Sequence, residues 1–292
     1  KHSGVSLAAE WDLSDAVLFK SITSYRELET NSFIDIDASE FELGDVLVAL
    51  DQNQFSQEFQ LQLDNGGNLQ TTFGAYYMKE DVPSYQEAYA DDLFAFAGVP
   101  ISFLRTIGDD LSTESVAAFA HANWEFVPTW TLAAGLRYSR DEKDYWRTTS
   151  TYWGPILAAL NETVAFDGNR SWDAWTPSLS LQKAFSDNVM GYVSANRGFK
   201  SGGFNGRANS ATEATAYDPE TADTFEVGAK TTYGDNRLRL NLAAFVTQYE
   251  DFQARVSEVL NPDSPTPTFS FPVLNAAEME INGFEFEGVA RL

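Results

Sequence analysis

The connections of this chain alternate, short then long, from one end to the other, and no other feature of the sequence limits the fold as strongly. Eleven stretches read as strands, near 4 to 13, 16 to 27, 54 to 64, 69 to 80, 114 to 126, 130 to 142, 173 to 185, 189 to 198, 222 to 233, 237 to 249 and 279 to 291. Period two identifies them. In QFSQEFQLQLD, Phe55, Phe59, Leu61 and Leu63 fall on one face and Ser56, Glu58, Gln60 and Gln62 on the other, as a strand with one apolar and one wet face requires. Leu238, Leu240 and Leu242 alternate likewise with Arg237, Arg239 and Asn241, and Phe284 and Phe286 with Glu285 and Glu287. After Leu13, Asp64, Phe126, Phe185 and Tyr233 the links SD, NGGN, VPT, SDN and GDN are short, and most are rich in residues that tolerate the left-handed backbone of tight turns. The other links, near 28 to 53, 81 to 113, 143 to 172, 199 to 221 and 250 to 278, far exceed the usual median of about 4 to 6 residues.

In an antiparallel meander this order collects all turns at one end and all long links at the other. That is the asymmetry of outer-membrane barrels, with short periplasmic turns and long extracellular loops. The expected fold is all-β, an antiparallel transmembrane β-barrel segment of eleven strands. Trp11, Tyr25, Trp124, Phe126, Trp130, Tyr138 and Trp175 stand near strand ends, where a barrel carries its aromatic girdles; a β-sandwich would place them in its core. The strand count is odd, the first strand starts within a few residues of Lys1 and the last reaches Leu292, which leaves two edges in need of partners. The chain is therefore read as part of a longer barrel.

Composition narrows the function classes. Cysteine is absent and histidine occurs twice, at His2 and His121, which removes disulfides and thiolate sites and leaves little for zinc or a Ser-His-Asp arrangement. A net charge of -24 argues against nucleic acid, whose phosphates need clustered Lys and Arg. The longest apolar run, LFAFAGVPISFL at 93 to 104, is too short to span a bilayer as a helix. It and YWGPILAAL are expected to pack against one another at the loop end or to meet a ligand. Nothing matches the hydrolase, metalloprotease, nucleotide or dinucleotide motifs, and the neighbours Asp109 and Asp110 do not define the carboxylate separation of a glycosidase. Asp35, Asp37 and Ser39 have alternate spacing, but Glu40 and Val46 stand where an EF-hand needs Gly and Glu; a solvated acidic loop is expected. The sequons at Asn161 and Asn169 are read as chance. No catalytic, metal or cofactor residue is assigned, and an enzyme is not expected.

The stretch YVSANRGFKSGGFNGRA, followed by YDPETADTFEVGAKTTYGDNRLRLNLAAFVTQYEDFQ, resembles the barrel of TonB-dependent outer-membrane receptors. The residues that carry the resemblance are Gly198, Phe199, Lys200, Ser201, Gly202, Gly203, Phe204 and Asn205, then Pro219 with Glu220, then Phe225, Glu226, Gly228 and Lys230. LFKSITSYRELETNSFIDID and QFSQEFQL are similar to the same family upstream. The resemblance implies a 22-strand barrel of which this chain is about the middle half, a plug domain not contained in it, and a plug segment that grips the TonB complex. It also implies a bacterial outer-membrane location among lipid and lipopolysaccharide, and uptake of a scarce nutrient, most often a ferric siderophore or another large organic ligand.

Arg197, Lys200 and Arg207 bracket flexible backbone and admit three roles: anchoring at the rim, contact with a plug, and contact with an anionic ligand. Anchoring is the expectation. The candidate ligand contacts in the long links are Tyr145, Trp146, Tyr152, Trp153, Trp172, Lys200, Asn205 and Arg207. Two other readings share the strand pattern, a passive porin-like channel and a soluble β-rich carbohydrate-binding protein.

Overall fold

The computed structural model describes residues 1–35, 38–96, 98, 102–154, 159–208, 213–235, 237–263, 269–276 and 278–291. In chain order the elements are β1 (His2–Ser14), β2 (Val17–Asp35), β3 (Asp45–Asp64), β4 (Leu69–Tyr89), α1 (Asp91–Phe96), β5 (Ser102–Val127), β6 (Trp130–Gly154), β7 (Ala159–Ser186) and β8 (Val189–Lys200). There follow β9 (Gly203–Phe204), β10 (Ala216–Tyr217), β11 (Glu220–Tyr233), β12 (Leu238–Glu250), β13 (Gln253–Arg255), β14 (Glu258–Val259), β15 (Phe269–Ser270), β16 (Val273–Asn275) and β17 (Met279–Ala290). Eleven strands form one antiparallel sheet in the order β1-β2-β3-β4-β5-β6-β7-β8-β11-β12-β17, and the short pairs β10-β9, β13-β16 and β14-β15 lie within the long connections. Among the described residues no helix is long and apolar enough to cross a membrane.

Register assigns every side chain a face, because directly opposed residues of an antiparallel pair point the same way. Leu179, Ala195, Phe225, Val246 and Asn282 form one row across five strands, and Leu181, Val193, Val227, Ala244 and Phe284 form the next. That face is mostly apolar, and its large side chains are exposed: Phe59, Phe73, Trp175, Leu179, Val227 and Phe284 are all open. Such a surface needs hydrocarbon around it. Its aromatics gather at two levels. Trp11 stacks on Phe19 and Trp124 packs at a tilt on Phe126 near the short turns, while Tyr138 packs on Trp175 near the other end. From Phe185 to Trp175 is roughly 33 Å along the strand, or about 25 Å along the membrane normal at the usual tilt, the height of a barrel's apolar belt.

The opposite face is polar. Lys20 pairs with Glu10 at 2.7 Å, and the Arg137 guanidinium lies 5.5 Å from the Tyr76 ring centre and 5.6 Å from that of Phe119. Glycines admit rings here. Tyr192 lies across Gly228, where a Cβ would meet the ring at 2.5 Å. Its hydroxyl donates to Glu226 and its face receives the Lys230 ammonium at 5.6 Å, so alternate residues of FEVGAK serve one cross-strand ring.

The strands begin and end at the short turns as the sequence predicts, with Gly66 (φ 70°), Gly234 (φ 61°) and Asp235 (φ 54°) in the left-handed region. At the other end most run further. The links expected near 28 to 53, 81 to 113 and 143 to 172 are mostly strand: β2 and β3 continue to Asp35 and from Asp45, β5 starts at Ser102, and β6 reaches Gly154. Beyond the belt both faces are polar, as in Thr148, Thr149, Ser150 and Thr151, so period two fades while the ladder persists. Phe41 packs edge-on against Phe96 of α1 at 5.1 Å, and Glu42 and Asp92 exchange hydrogen bonds; Asp37 and residues 155–158 lie outside the described residues.

Val227→Arg is expected to cost about 2–4 kcal/mol in refolding into bilayers. Ser180→Arg, on the polar face, is expected to cost less than about 1 kcal/mol. Urea titrations in vesicles compare the two.

Candidate functional site

At the long-connection end, the polar faces of β5, β6 and β7 bring Asp109, Lys143, Tyr145, Arg147, Phe166, Arg170 and Trp172 together. The connection from β8 to β11 folds back over them. Phe204 stacks on Tyr145 at 5.4 Å and 16°, and meets Phe166 at 5.7 Å and Trp172 at 6.3 Å. Aromatic pairs in these geometries each add about 0.5–1.5 kcal/mol beyond area burial. The backbone of the same connection is gripped by cations: Lys143 Nζ donates to the Gly202 carbonyl at 2.7 Å and Arg147 Nη1 to the Gly206 carbonyl at 2.8 Å, while Arg170 pairs with Asp218 at 2.8 Å. Gly202 permits the approach, since a Cβ there would lie 2.3 Å from the Tyr217 carbonyl and 2.4 Å from the Trp172 indole.

Arg147 is buried, and the same Nη1 contacts both Asp109 oxygens at 2.8 and 3.0 Å. Tyr145 donates its hydroxyl to Asp109. Burial pulls the Arg147 guanidinium down, but the Asp109 charge and the Tyr145 hydroxyl outweigh it and hold it above its ordinary value. Burial, then the hydrogen bond to Asp109, push the Tyr145 phenol well above the usual tyrosine range. Burial lowers Lys143, against the attraction of Asp141 and Glu80. Asp110, one residue from Asp109, opposes Trp146 on the other face, so the two carboxylates are not a catalytic pair.

A second tier ties this connection to the next. The Asn205 amide donates to the carbonyls of Glu213 and Phe271 at 3.2 and 2.9 Å and accepts from the Arg207 N–H. Gln253 donates to the Ser201 and Asp218 carbonyls, Asn275 to those of Asp218 and Asp251, and the Gln253 N–H donates to the Glu220 carboxylate. Lys200 Nζ stands 3.6 Å from that carboxylate. Pro219 and Glu220 thus sit where two connections are stitched. On the outer face Arg197 forms a bidentate pair with Asp223.

Of the eight candidate contacts, Tyr145 (4% exposed), Trp172 (6%) and Asn205 (3%) are brought together under or within the folded connection. Lys200 and Arg207 are exposed on it. Trp153 packs edge-on against Phe103 further along the polar face, and Trp146 and Tyr152 lie on the opposite face. Four of the five aromatics expected in a loop are on β6 and the fifth, Trp172, on β7. Sequence reasoning missed Asp109 in this role, Lys143, Arg147, Gln253 and Asn275. The KSGGFN motif and the candidates Tyr145 and Trp172 pointed to the place, but lone polar residues that serve distant backbone leave no periodic signal.

Arg147→Met, which leaves Asp109 buried without its cation, is expected to destabilise this end by about 3–5 kcal/mol, with faster amide exchange at residues 202 to 206. Gly202→Ala is expected to lose about 1–3 kcal/mol through the forced shift of backbone, read by the same exchange. As the phenol is held neutral in the fold, its contribution is complete below the unfolded tyrosine value of 10.0 and is lost as pH rises beyond it; protection of the amides at 202 to 206, corrected for the intrinsic base-catalysed exchange rate, is expected to stay flat through neutrality and to fall only above that value.

Comparison with known proteins agrees with this architecture. The family model "TonB dependent receptor-like, beta-barrel" matches residues 1–292. The probable TonB-dependent siderophore receptor PiuA of Acinetobacter baumannii is 25% identical over 181 residues, 60% of this chain and 21% of PiuA. Among solved structures, the ferric yersiniabactin uptake receptor FyuA of Yersinia pestis superposes with a TM-score of 0.76 at 17% identity, over 98% of this chain and 39% of FyuA. The copper transporter OprC gives 0.69 at 14% identity, over all of this chain and 44% of OprC. The chain thus spans 21% to 44% of the length of these three proteins, and it belongs to the TonB-dependent receptor β-barrel family.

Proposed function

We propose that this chain is part of an outer-membrane receptor that captures a large anionic iron chelate, of the ferric siderophore class, at its long-connection end and admits it when a plug domain is displaced through the TonB complex. The apolar face would meet outer-membrane lipid and its upper rim lipopolysaccharide. The observation that carries this reading is the aromatic and cationic patch on the polar face. In a chain of net charge -24, Lys200 and Arg207 are exposed at one connection, which Phe204 holds in place by packing on the buried Tyr145 and Trp172. Exposed cations on an anchored connection attract an anionic chelate. PiuA and FyuA, named for siderophore and ferric yersiniabactin uptake, support the same class. The work done is binding and gated passage, with no covalent step.

Tryptophan fluorescence of the full-length receptor, titrated with catecholate, hydroxamate and carboxylate ferric chelates, tests this. One class is expected to bind at about micromolar or tighter, and Arg207→Ala to weaken it by about tenfold. Absence of binding by every chelate, together with solute flux that persists without TonB, would overturn it in favour of a passive channel.

A further inference from the structure

We propose a second binding site, for a single anionic glycerophospholipid, on the apolar face at the short-turn end of β6, β7, β8 and β11. It rests on the reading above that this face meets a bilayer. An open groove of about 440 Å³ runs there, lined by Trp130, Leu181, Lys183, Gly191, Val227 and Ala229. Gly191 and Ala229 are opposed across β8 and β11, and two such small residues side by side lower the floor between the bulkier neighbours Lys183 and Leu242 of the same row. The groove accepts an alkyl chain.

Lys183 sets what that chain belongs to. It opposes Trp130 on β6 and Gly191 on β8, so it stands on the lipid face, where a charge at the midplane would cost about 2–4 kcal/mol and near the interface about 0–1. Its place three residues before the end of β7, beside Trp130 at the first position of β6, is the interfacial level. The ammonium lies 4.4 Å from the Trp130 ring centre and 5.6 Å from that of Phe185. Among the described residues no carboxylate lies within ion-pair distance of it, although the chain has 43 acidic residues against 19 basic. Two rings fix the cation, and its remaining side is open to an anion. The complement of an uncompensated ammonium at headgroup height above an alkyl groove is a phosphodiester with an acyl chain attached. A headgroup without its own ammonium, as in phosphatidylglycerol, leaves that charge to Lys183.

The full-length receptor, extracted from membranes in detergent and incubated with equal phosphatidylglycerol and phosphatidylethanolamine, is read by native mass spectrometry. One phosphatidylglycerol is expected to be retained over phosphatidylethanolamine by about tenfold. Lys183→Gln is expected to abolish that preference. Ala229→Phe, which fills the groove, is expected to reduce retention of both lipids, and Lys79→Gln, at the opposite rim of the same face, to change neither. Equal retention of the two lipids by the wild type, or an undiminished preference in Lys183→Gln, would overturn the site while leaving the receptor reading intact. Recovery of the wild type in the aqueous fraction, without detergent, would instead overturn the membrane reading and the site with it.

Discussion

Backbone hydrogen bonding between neighbouring strands is the constraint on which the rest of this structure depends. In hydrocarbon each unpaired N–H or C=O costs several kcal/mol, so the ladder must be continuous, and β4 and β5 remain in register without a break from Leu69 to Tyr89. A continuous ladder fixes the alternation of side chains. Every other residue is thereby committed to lipid or to the polar side, and a single slip would exchange Phe225 for Glu226. The apolar belt, the girdles and the inward-gathered aromatics are consequences of that one commitment.

Most of the wall was legible in the sequence because lipid on one face and water on the other write period two into it. Phe55, Phe59 and Leu61 face away from Ser56, Glu58 and Gln60 in the structure as in the pattern, and GDN turns with Gly234 and Asp235 at positive φ. The outer halves of β5 to β7 were not legible, since above the belt no face is required to be apolar. Runs such as TTST at 148 to 151 then signal strand only through β-propensity, which is weak by itself.

The candidate site was half legible. KSGGFN marks itself by glycine and aromatic content, but what it touches does not: Lys143, Arg147 and Asp109 are ordinary charged residues whose partners are backbone carbonyls or one another, many positions away. The acidic pair at 109 and 110 looked like one feature in one dimension; the pleat sends its members to opposite faces.

The contact from Arg147 to the Gly206 carbonyl joins residues 59 positions apart, and that separation bears on what it costs to make. Because β7 and β8 lie between its ends, their pairing shortens the loop the contact has to close and lowers its entropic cost. The clasp thus draws on order the wall already supplies. In return it ties the far end of β6 to the chain beyond β8, so that lifting the connection off Tyr145 and Trp172 means breaking a grip on its backbone as well as an aromatic stack.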